Sequence, residues 1–286
     1  MLKRPIALAL GGGGARGFAH IGVLRALEKA ELPIELIVGT SMGAVVGGLY
    51  AQLADAAAVE GKIRSFLDSP LFREANSVEK KPSWADDALE LLLSQRDKNE
   101  NQLEQMSVMT IRLKEALEEL FPRPLIEECR IPFAAVAADL RSGEEVVVRH
   151  GLIADAVTAS SAMPGIFAPL EIGVRLLADG AAASPVPVRA ARTLAPDACI
   201  VAVDVSAGLS ASFDEKNPLS LLMRSFAVTG ACRHRDLIAE ADVLIRPHVK
   251  WFSWREFEEF EAFIAEGEQA AVRVLPLLKK QCKSLL

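Results

Sequence analysis

Short apolar runs and helical stretches alternate at the start of the chain. Ile6-Ala-Leu-Ala-Leu10 is an apolar run that ends in glycines, and apolar residues then recur at helical spacing from Phe18 to Leu27. Residues 33–38 form a second apolar run, closed by Gly39 and followed by another one-sided helical pattern from Met42 to Leu53. Two successive units of strand, turn and helix predict a parallel sheet covered by helices on its faces.

The middle of the chain has a different pattern. From about Gly61 to Glu128 the sequence is charged and helix-forming, and we interpret residues 61–130 as a helical insertion with helices at 86–93 and 108–121. Strand patterns resume after it, and a helix of small residues is predicted at 154–162. The predicted strands of this part are residues 132–139, 145–148, 174–177 and 199–205.

These patterns divide the chain into two regions. Residues 6–206 form the predicted α/β core. Residues 207–286 form a mainly helical C-terminal extension that we expect to pack on this core, with one more short strand at residues 243–245.

Composition and charge narrow the class of protein. The 286 residues are 51% hydrophobic and 24% charged, which is typical of a globular chain. The formal net charge of -6 disfavours a nucleic-acid partner, because phosphate contacts need clustered Lys and Arg. The first apolar run is too short for a signal peptide, and no stretch reaches membrane-spanning length. Because the four cysteines are scattered and no histidine has metal-ligand spacing, we expect a reduced, cytoplasmic protein without a metal.

Gly39-Thr-Ser-Met-Gly43 contains the candidate nucleophile, Ser41. The motif has the form G-x-S-x-G and lies between a predicted strand and a predicted helix, which is the context of a nucleophile elbow. Gly39 and Gly43 permit the tight turn that presents the serine, and the helix dipole favours negative charge at its oxygen. The alternative is a simple turn that starts a helix.

The glycine-rich segment Gly11-Gly-Gly-Gly-Ala-Arg-Gly17 allows several interpretations. Gly12, Gly14 and Gly17 fit a dinucleotide-binding fingerprint, but the second strand ends in Val38-Gly39 where a ribose-binding acid is needed. A phosphate-binding P-loop fails because no Gly-Lys-Ser/Thr follows. We therefore expect no cofactor. The remaining interpretations are a loop of exposed N–H groups that forms an oxyanion hole, or a tight turn with close helix packing.

A serine nucleophile needs a base, and the chain has four histidines and one well-placed aspartate. None of the histidines lies in an obvious loop after a core strand; they are His20, His150, His234 and His248. Asp179 follows a predicted strand and starts Asp179-Gly-Ala181, so a turn would present its carboxylate at a strand end. The residues alone leave open an ordinary turn at Asp179, or a Ser-Asp-His triad through His234 or His248.

Taken together, these motifs resemble the patatin-like phospholipase family, and the likeness runs from about residue 6 to residue 206. The main motifs are Gly12-Gly-Gly-Ala-Arg-Gly17, Gly39-Thr-Ser-Met-Gly43 and Asp179-Gly-Ala181. Further similarities are His20-Ile-Gly-Val-Leu24, Ala159-Ser-Ser-Ala-Met-Pro-Gly-Ile-Phe-Ala-Pro169 and Glu266-Gly-Glu268.

The resemblance implies a patatin-type three-layer α/β/α sandwich with a mostly parallel central sheet. It also implies a Ser41–Asp179 catalytic dyad and an acyl-enzyme intermediate. The implied oxyanion hole is formed by Gly12, Gly13, Gly14 and Met42. Arg16 would steady the loop or orient a substrate phosphate. The chain departs from the bacterial pattern at Ser184, where Asn is usual.

The implied function is a serine esterase that cleaves carboxylic ester bonds of phospholipids, lysophospholipids or related acyl esters. The expected partner is therefore a lipid or acyl-ester substrate, with peripheral membrane contact as a further possibility. The alternative is a noncatalytic lipid or acyl-chain binding protein that retains the fold. The sequence does not define an oligomeric state.

An aromatic stripe occupies Trp251 to Phe263, with an aromatic residue at every third position from Trp254. On a helix this spacing gives one apolar stripe beside an acidic face. Packing against the domain is the favoured explanation, and docking on a membrane is the alternative.

Overall fold

The computed structural model describes residues 4–69, 99–209 and 213–282. Part of the predicted insertion, including the helix expected at 86–93, lies outside these residues. The strands are β1 Ile6–Leu10, β2 Ile34–Thr40, β3 Phe133–Asp139, β4 Glu145–Val148, β5 Leu170–Ile172, β6 Arg175–Asp179, β7 Cys199–Val203 and β8 Val243–Ile245. The helices are α1 Ala19–Lys29, α2 Met42–Leu53, α3 Ala56–Leu67, α4 Asn99–Leu120, α5 Ile153–Ser161, α6 Val188–Leu194, α7 Pro218–Ile238 and α8 Phe260–Gln281.

The eight strands form one sheet in the order β5-β6-β3-β2-β1-β7-β8, with β4 paired to β3. The central pairs β3-β2, β2-β1, β1-β7 and β7-β8 are all parallel. Strands β4, β5 and β6 form the antiparallel part. The prediction of a mostly parallel sheet is confirmed. Its physical basis is that β1, β3 and β7 are buried along their whole length and apolar apart from Asp139 at the end of β3.

Two hydrophobic cores cover the two faces of the sheet. The larger core joins the sheet to α1, α2 and α8, through side chains such as Leu24, Leu49 and Phe263. The smaller core lies on the opposite face and includes Val188 of α6 and Ile238 of α7. The sheet is therefore the middle layer of three, as the expected α/β/α sandwich requires.

Helices α1 and α8 cross at two glycines. A side chain at Gly22 would clash with the carbonyl of Ile264, and one at Gly267 would clash with the carbonyl of Ala19. The Glu268 carboxylate next to this crossing accepts a salt bridge of 2.6 Å from Lys29. The close approach fixes α8 against the helix that follows the glycine-rich loop.

The C-terminal region contributes to the same sheet. β8 pairs with β7 in parallel, from Val201 and Val243 to Val203 and Ile245. The division of the chain at residue 206 stays a prediction. The sequence analysis did not predict β5 or α6, which are only three and seven residues long. In the described ranges, no helix is sufficiently long and apolar to cross a bilayer.

Candidate active site

The pairing register of β3 brings two strand ends together. β2 pairs with β3 up to Thr40 opposite Val136, and β6 pairs with it from Asp179 opposite Ala137. β4 pairs with residues 135–138 of β3, a stretch that includes residues paired with β2 and residues paired with β6. Because a strand has only two edges, β4 occupies one edge of β3. β2 and β6 therefore share the other edge of β3, where they meet head to head. The residue after β2 and the last residue of β6, Ser41 and Asp179, become neighbours.

Ser41 has the geometry of a nucleophile elbow. Its φ of 53° and ψ of -124° are strained for a residue with a side chain. The turn requires glycine on both sides, because a side chain at Gly39 would clash with the backbone of Gly43, and one at Gly43 with the carbonyl of Leu10. Ser41 is buried and stands at the N-terminus of α2, whose dipole favours negative charge there.

Ser160 supports this turn and was not singled out by the sequence analysis. The Ser41 N–H donates to Ser160 Oγ over 2.9 Å, and Ser160 Oγ donates to the Val136 carbonyl over 2.6 Å. The side chain thus links the elbow to the strand edge on which Asp179 pairs. Its only signal in the sequence was its place in the segment Ala159–Pro169.

Asp179 is a buried carboxylate beside Ser41. Its Oδ1 accepts a hydrogen bond of 2.8 Å from the Ala181 N–H. Burial raises the pKa of Asp179 to about 6, although the hydrogen bonds from Ala181 and the Ser41 hydroxyl lower it. Among these influences there is no cation. Asp179 is therefore a stronger base than an exposed aspartate.

The turn after Asp179 is tied to the end of β2. The Ser184 N–H donates to the Gly180 carbonyl over 2.7 Å. The Thr40 hydroxyl then donates to the Ser184 carbonyl over 2.9 Å. These contacts use the backbone of Ser184, so the serine found where Asn is usual still holds the turn against the residue before Ser41.

The glycine-rich loop lies against Ser41. A Cβ at Gly12 would be 3.2 Å from the Cβ of Ser41, and the Gly12 N–H donates to the Pro185 carbonyl over 2.9 Å. The structure thus shows no free donor at Gly12. Within the described residues, the N–H groups of Gly13, Gly14 and Met42 have no acceptor. The proposed oxyanion hole narrows to these three donors, and their role stays a prediction.

Trp254 and Arg16 hold this loop in place. The Ala15 N–H donates to the Trp254 carbonyl over 2.8 Å, and a Cβ at Gly14 would approach the same oxygen to 2.5 Å. Gly14 also has a φ of +56°, which favours glycine. Arg16 Nε donates to the Gly13 carbonyl over 3.2 Å, so its observed contact supports the loop. Nothing in the sequence indicated the contact with Trp254.

His20 also contacts the glycine-rich loop. Its Nε2 lies 2.8 Å from the Gly11 carbonyl, which can only accept, so Nε2 carries the proton. Burial lowers the pKa of His20 to about 4, against the opposing effects of Gly11 and Asp204. The ring is neutral at pH 7 and fixes the start of the loop.

Asp204 is a second buried carboxylate and lies just after β7. Its Oδ2 is 3.2 Å from His234 Nε2 and 2.8 Å from Arg246 Nη2. Its Oδ1 accepts from the Ser206 N–H over 3.0 Å. Burial would raise the pKa of Asp204, but the hydrogen bonds and charge of His234, together with Ser206, hold it well below its usual range. His234 is thus paired with an acid other than Asp179.

The other candidate residues lie elsewhere. His150 is exposed beside Glu127, and His248 is exposed after β8. The aromatic stripe is not one helix, because residues 251–256 precede a short 3-10 helix and α8 begins only at Phe260. Phe260 and Phe263 are buried near Phe18, so packing is observed for them. Among the described residues, no cluster of His, Cys, Asp or Glu is arranged to hold a metal ion.

The chain is similar to a known protein family and to several relatives of known sequence. Residues 8–192 match the Patatin family, described as patatin-like phospholipase. An uncharacterized NTE family protein of Mycobacterium tuberculosis is 35% identical over 183 residues, which are 64% of this chain and 44% of that protein. A patatin-like phospholipase domain-containing protein of Caenorhabditis elegans is 32% identical over 205 residues, 70% of this chain and 13% of that protein.

Two further likenesses cover very different lengths. Lysophospholipase nte1 of Emericella nidulans is 52% identical over 63 residues, 22% of this chain and 4% of that protein. The crystal structure of VipD from Legionella pneumophila superposes with a TM-score of 0.50 at 14% identity, covering 97% of this chain and 67% of that chain. The likeness to VipD concerns the fold. The chain spans less than half the length of the sequence relatives that it matches.

Proposed function

Because the chain belongs to the patatin-like phospholipase family, we propose that it is a serine lipid acyl hydrolase with a Ser41–Asp179 dyad. The observation that carries the proposal is the meeting of β2 and β6 on one edge of β3, which sets a strained serine beside a buried carboxylate. Burial raises the pKa of this carboxylate, Asp179, to about 6. The substrates that we propose are phospholipids, lysophospholipids or related acyl esters, in line with the name of the Emericella relative.

The reaction begins when Ser41 Oγ attacks the ester carbonyl carbon. Asp179 accepts the hydroxyl proton as the new C–O bond forms. The tetrahedral intermediate then collapses, the bond to the leaving alcohol breaks, and Asp179 returns the proton to that alcohol. A water molecule next attacks the acyl-enzyme while Asp179 accepts its proton. The bond between the acyl carbon and Ser41 Oγ then breaks, Asp179 returns the proton to Ser41 Oγ, and the fatty acid is released.

The environment of Asp179 suits this role. With a pKa of about 6, the carboxylate is mainly ionised at pH 7 and still more basic than an exposed aspartate. Burial without a cation is the cause, so the base needs no histidine. A group whose pKa lies near the working pH is the most effective general base.

The oxyanion of each tetrahedral intermediate would lie between the glycine-rich loop and α2. Among the described residues, the N–H groups of Gly13, Gly14 and Met42 have no acceptor, and contacts of the neighbouring backbone hold the loop. A fixed donor of this kind contributes about 3 to 4 kcal/mol of transition-state stabilisation. The contacts of Arg16 and Trp254 explain how the loop is held before substrate binds.

Two further points complete the proposal. Lipid substrates are gathered in membranes, so we propose peripheral contact of the enzyme with a lipid surface. We also propose a reducing, cytoplasmic compartment, because the four cysteines are scattered along the chain without the spacing of a disulfide framework.

Covalent labelling with a fluorophosphonate tests the nucleophile. We expect one adduct by intact mass on the wild type, none on Ser41→Ala, and an unchanged adduct on the matched control Ser206→Ala. Ser206 is the apt control because its hydroxyl lies 3.4 Å from His234, which in turn pairs with Asp204. Labelling that persists in Ser41→Ala and disappears in Ser206→Ala would move the nucleophile to Ser206.

A histidine variant separates the dyad from a triad. His234→Gln should keep esterase activity within about tenfold of the wild type, because His234 pairs with Asp204. A folded His234→Gln protein as inactive as Ser41→Ala would restore the Ser-Asp-His triad. A wild-type protein that is neither labelled nor active on any acyl ester would favour a noncatalytic lipid-binding role.

A further inference from the structure

Helix α7, Pro218–Ile238, carries large apolar side chains on its surface. Of its residues only Leu237 and Ile238 are buried, both in the last turn. Four large apolar side chains along the rest of the helix are exposed, with relative exposures of 46% for Leu221, 50% for Leu222, 63% for Phe226 and 42% for Val228. Exposed apolar side chains grouped along one helix are typical of an interaction surface.

The helix extends past the edge of the sheet that bears the candidate active site. His234 Nε2 lies 3.2 Å from Asp204, the residue that follows β7. At the other end, the Asp242 N–H bonds to Ile200 near the start of β7. The last turn of α7 and the following residues 239–242 therefore run along β7 between these two contacts. Residues 218–233 precede His234 and form about 24 Å of helix that leads up to the carboxyl end of β7.

The outward face of α7 combines these apolar side chains with arginines. Leu222, Phe226 and Arg233 follow one another at helical spacing, and Arg233 and Arg235 are exposed. The helix contains three arginines and one acid, Asp236, whereas the whole chain has a formal net charge of -6. A locally cationic, apolar helix in an acidic protein is complementary to an anionic lipid surface.

We propose that this outward face docks on an anionic lipid surface; it is the exposed half of α7, with Leu222, Phe226 and Arg233 along one stripe and Leu221, Val228 and Arg235 along a second. The apolar side chains would enter the boundary between headgroups and acyl chains, and the arginines would pair with lipid phosphates. The acidic residues Asp214 and Glu215 precede the helix and are not part of the face. A second copy of the chain would bring like charges together, which disfavours it as the occupant.

The proposal rests on the proposed function, because docking at this edge would hold the candidate active site close to membrane lipid. It differs from membrane contact through the aromatic stripe, in which Phe260 and Phe263 are buried and Trp251 is 81% exposed. Docking and ester hydrolysis are measured separately, so that the two proposals can fail independently.

Vesicle co-sedimentation tests the surface. Two kinds of vesicle are compared, pure phosphatidylcholine and equal parts phosphatidylcholine and phosphatidylglycerol. We expect the wild type to prefer the anionic vesicles, and Leu222→Ser/Phe226→Ser to lose at least about tenfold in binding to them. The matched control is Val272→Ser/Leu277→Ser, at two α8 side chains that are 52% and 46% exposed, and it should bind as the wild type does.

Charge is tested by Arg233→Gln/Arg235→Gln, which should reduce the preference for anionic vesicles at least about fivefold. If Leu222→Ser/Phe226→Ser does not unfold at the wild-type midpoint, Arg233→Gln/Arg235→Gln replaces it as the test of the surface. A soluble p-nitrophenyl ester, which requires no lipid surface, reports on the wild-type active site alone.

Several results would overturn the proposal. They are a wild type that does not bind anionic vesicles, an α7 variant that binds as the wild type does, or an equal loss in the α8 control. A wild-type dimer that Leu222→Ser/Phe226→Ser converts to monomer, without vesicle binding, would assign the face to a second copy. If the protein hydrolyses the soluble ester in any of these cases, the proposed function remains intact. If the protein does not hydrolyse the soluble ester, that result counts against the proposed function and not against the docking surface.

Discussion

Two buried aspartates at the carboxyl edge of the sheet differ in almost everything except burial. Asp179 is 3% exposed and Asp204 is 2% exposed. Asp179 accepts hydrogen bonds from a neutral N–H and a neutral hydroxyl, and its pKa rises to about 6. Asp204 is bonded to His234 and Arg246, and its pKa falls well below the usual range although burial opposes the fall.

The comparison shows that the partners of a buried carboxylate determine its chemistry. Without a cation, burial destabilises the charged form and makes the group basic. With cations in contact, the charge is stabilised and the group loses its ability to take a proton near pH 7. Acids whose pKa values are driven apart in one site often have different roles. We therefore expect Asp179 to be needed for the reaction and Asp204 for stability.

The largest expected effect is on the rate of Asp179→Asn. The substitution keeps the shape of the side chain and removes its basicity, so a folded variant should lose at least about two orders of magnitude in esterase rate. Steady-state kinetics with a soluble p-nitrophenyl ester measures this. An Asp179→Asn protein within tenfold of the wild type would remove Asp179 as the base.

The same variant should not be less stable than the wild type at alkaline pH. Because the folded-state pKa of Asp179 is raised to about 6, its stabilising contribution is present below the unfolded-state pKa and is lost as the pH rises through 6. At pH 8 the asparagine variant therefore gains up to about 3 kcal/mol relative to the wild type, and the difference shrinks toward pH 4. Chemical denaturation at both pH values provides the control for folding.

Asp204→Asn should show the opposite pattern. It removes the negative charge that Arg246 and His234 contact, and because the Arg246 side chain is 56% exposed, solvent screening reduces the loss below the roughly 3 to 5 kcal/mol of a fully buried pair. The unfolding midpoint should fall by several degrees, while the esterase rate per folded molecule stays within about tenfold. Thermal unfolding followed by circular dichroism tests it. Full stability combined with complete loss of activity would exchange the roles of the two aspartates.

The smallest expected effect is on the pH profile, whose midpoint should not shift in Asp204→Asn. The wild-type kcat/KM should fall about tenfold per pH unit below a midpoint near pH 6, because protonated Asp179 cannot accept the serine proton. Asp204 is not among the groups that act on the pKa of Asp179, so Asp204→Asn should keep this midpoint. A pH profile of both proteins decides the point. A midpoint moved by a full unit would show that the two acids are coupled.

The local features of the chain were predictable from sequence. The Ile6–Leu10 strand was predicted with its observed bounds, and the second strand and following helix were predicted to within a few residues. The serine turn was predictable because its glycines are required by contacts within a few residues of chain or with the neighbouring strand. Hydrophobic periodicity and turn chemistry act over short distances, so the sequence carries them directly.

The relations between distant segments were decided by the tertiary structure. Only the shared edge of β3 shows that Asp179 meets Ser41, and only the contact across β7 and α7 shows that His234 pairs with Asp204. The tertiary structure also decided that Ser160 supports the serine turn, that Trp254 holds the glycine-rich loop, and that α7 is exposed. These features depend on strand pairing and burial between segments that are far apart in sequence, and burial without a cation is what makes Asp179 basic. The sequence motif therefore selected Asp179 as the candidate base, and the three-dimensional fold supplied the physical reason that Asp179 is basic and Asp204 is not.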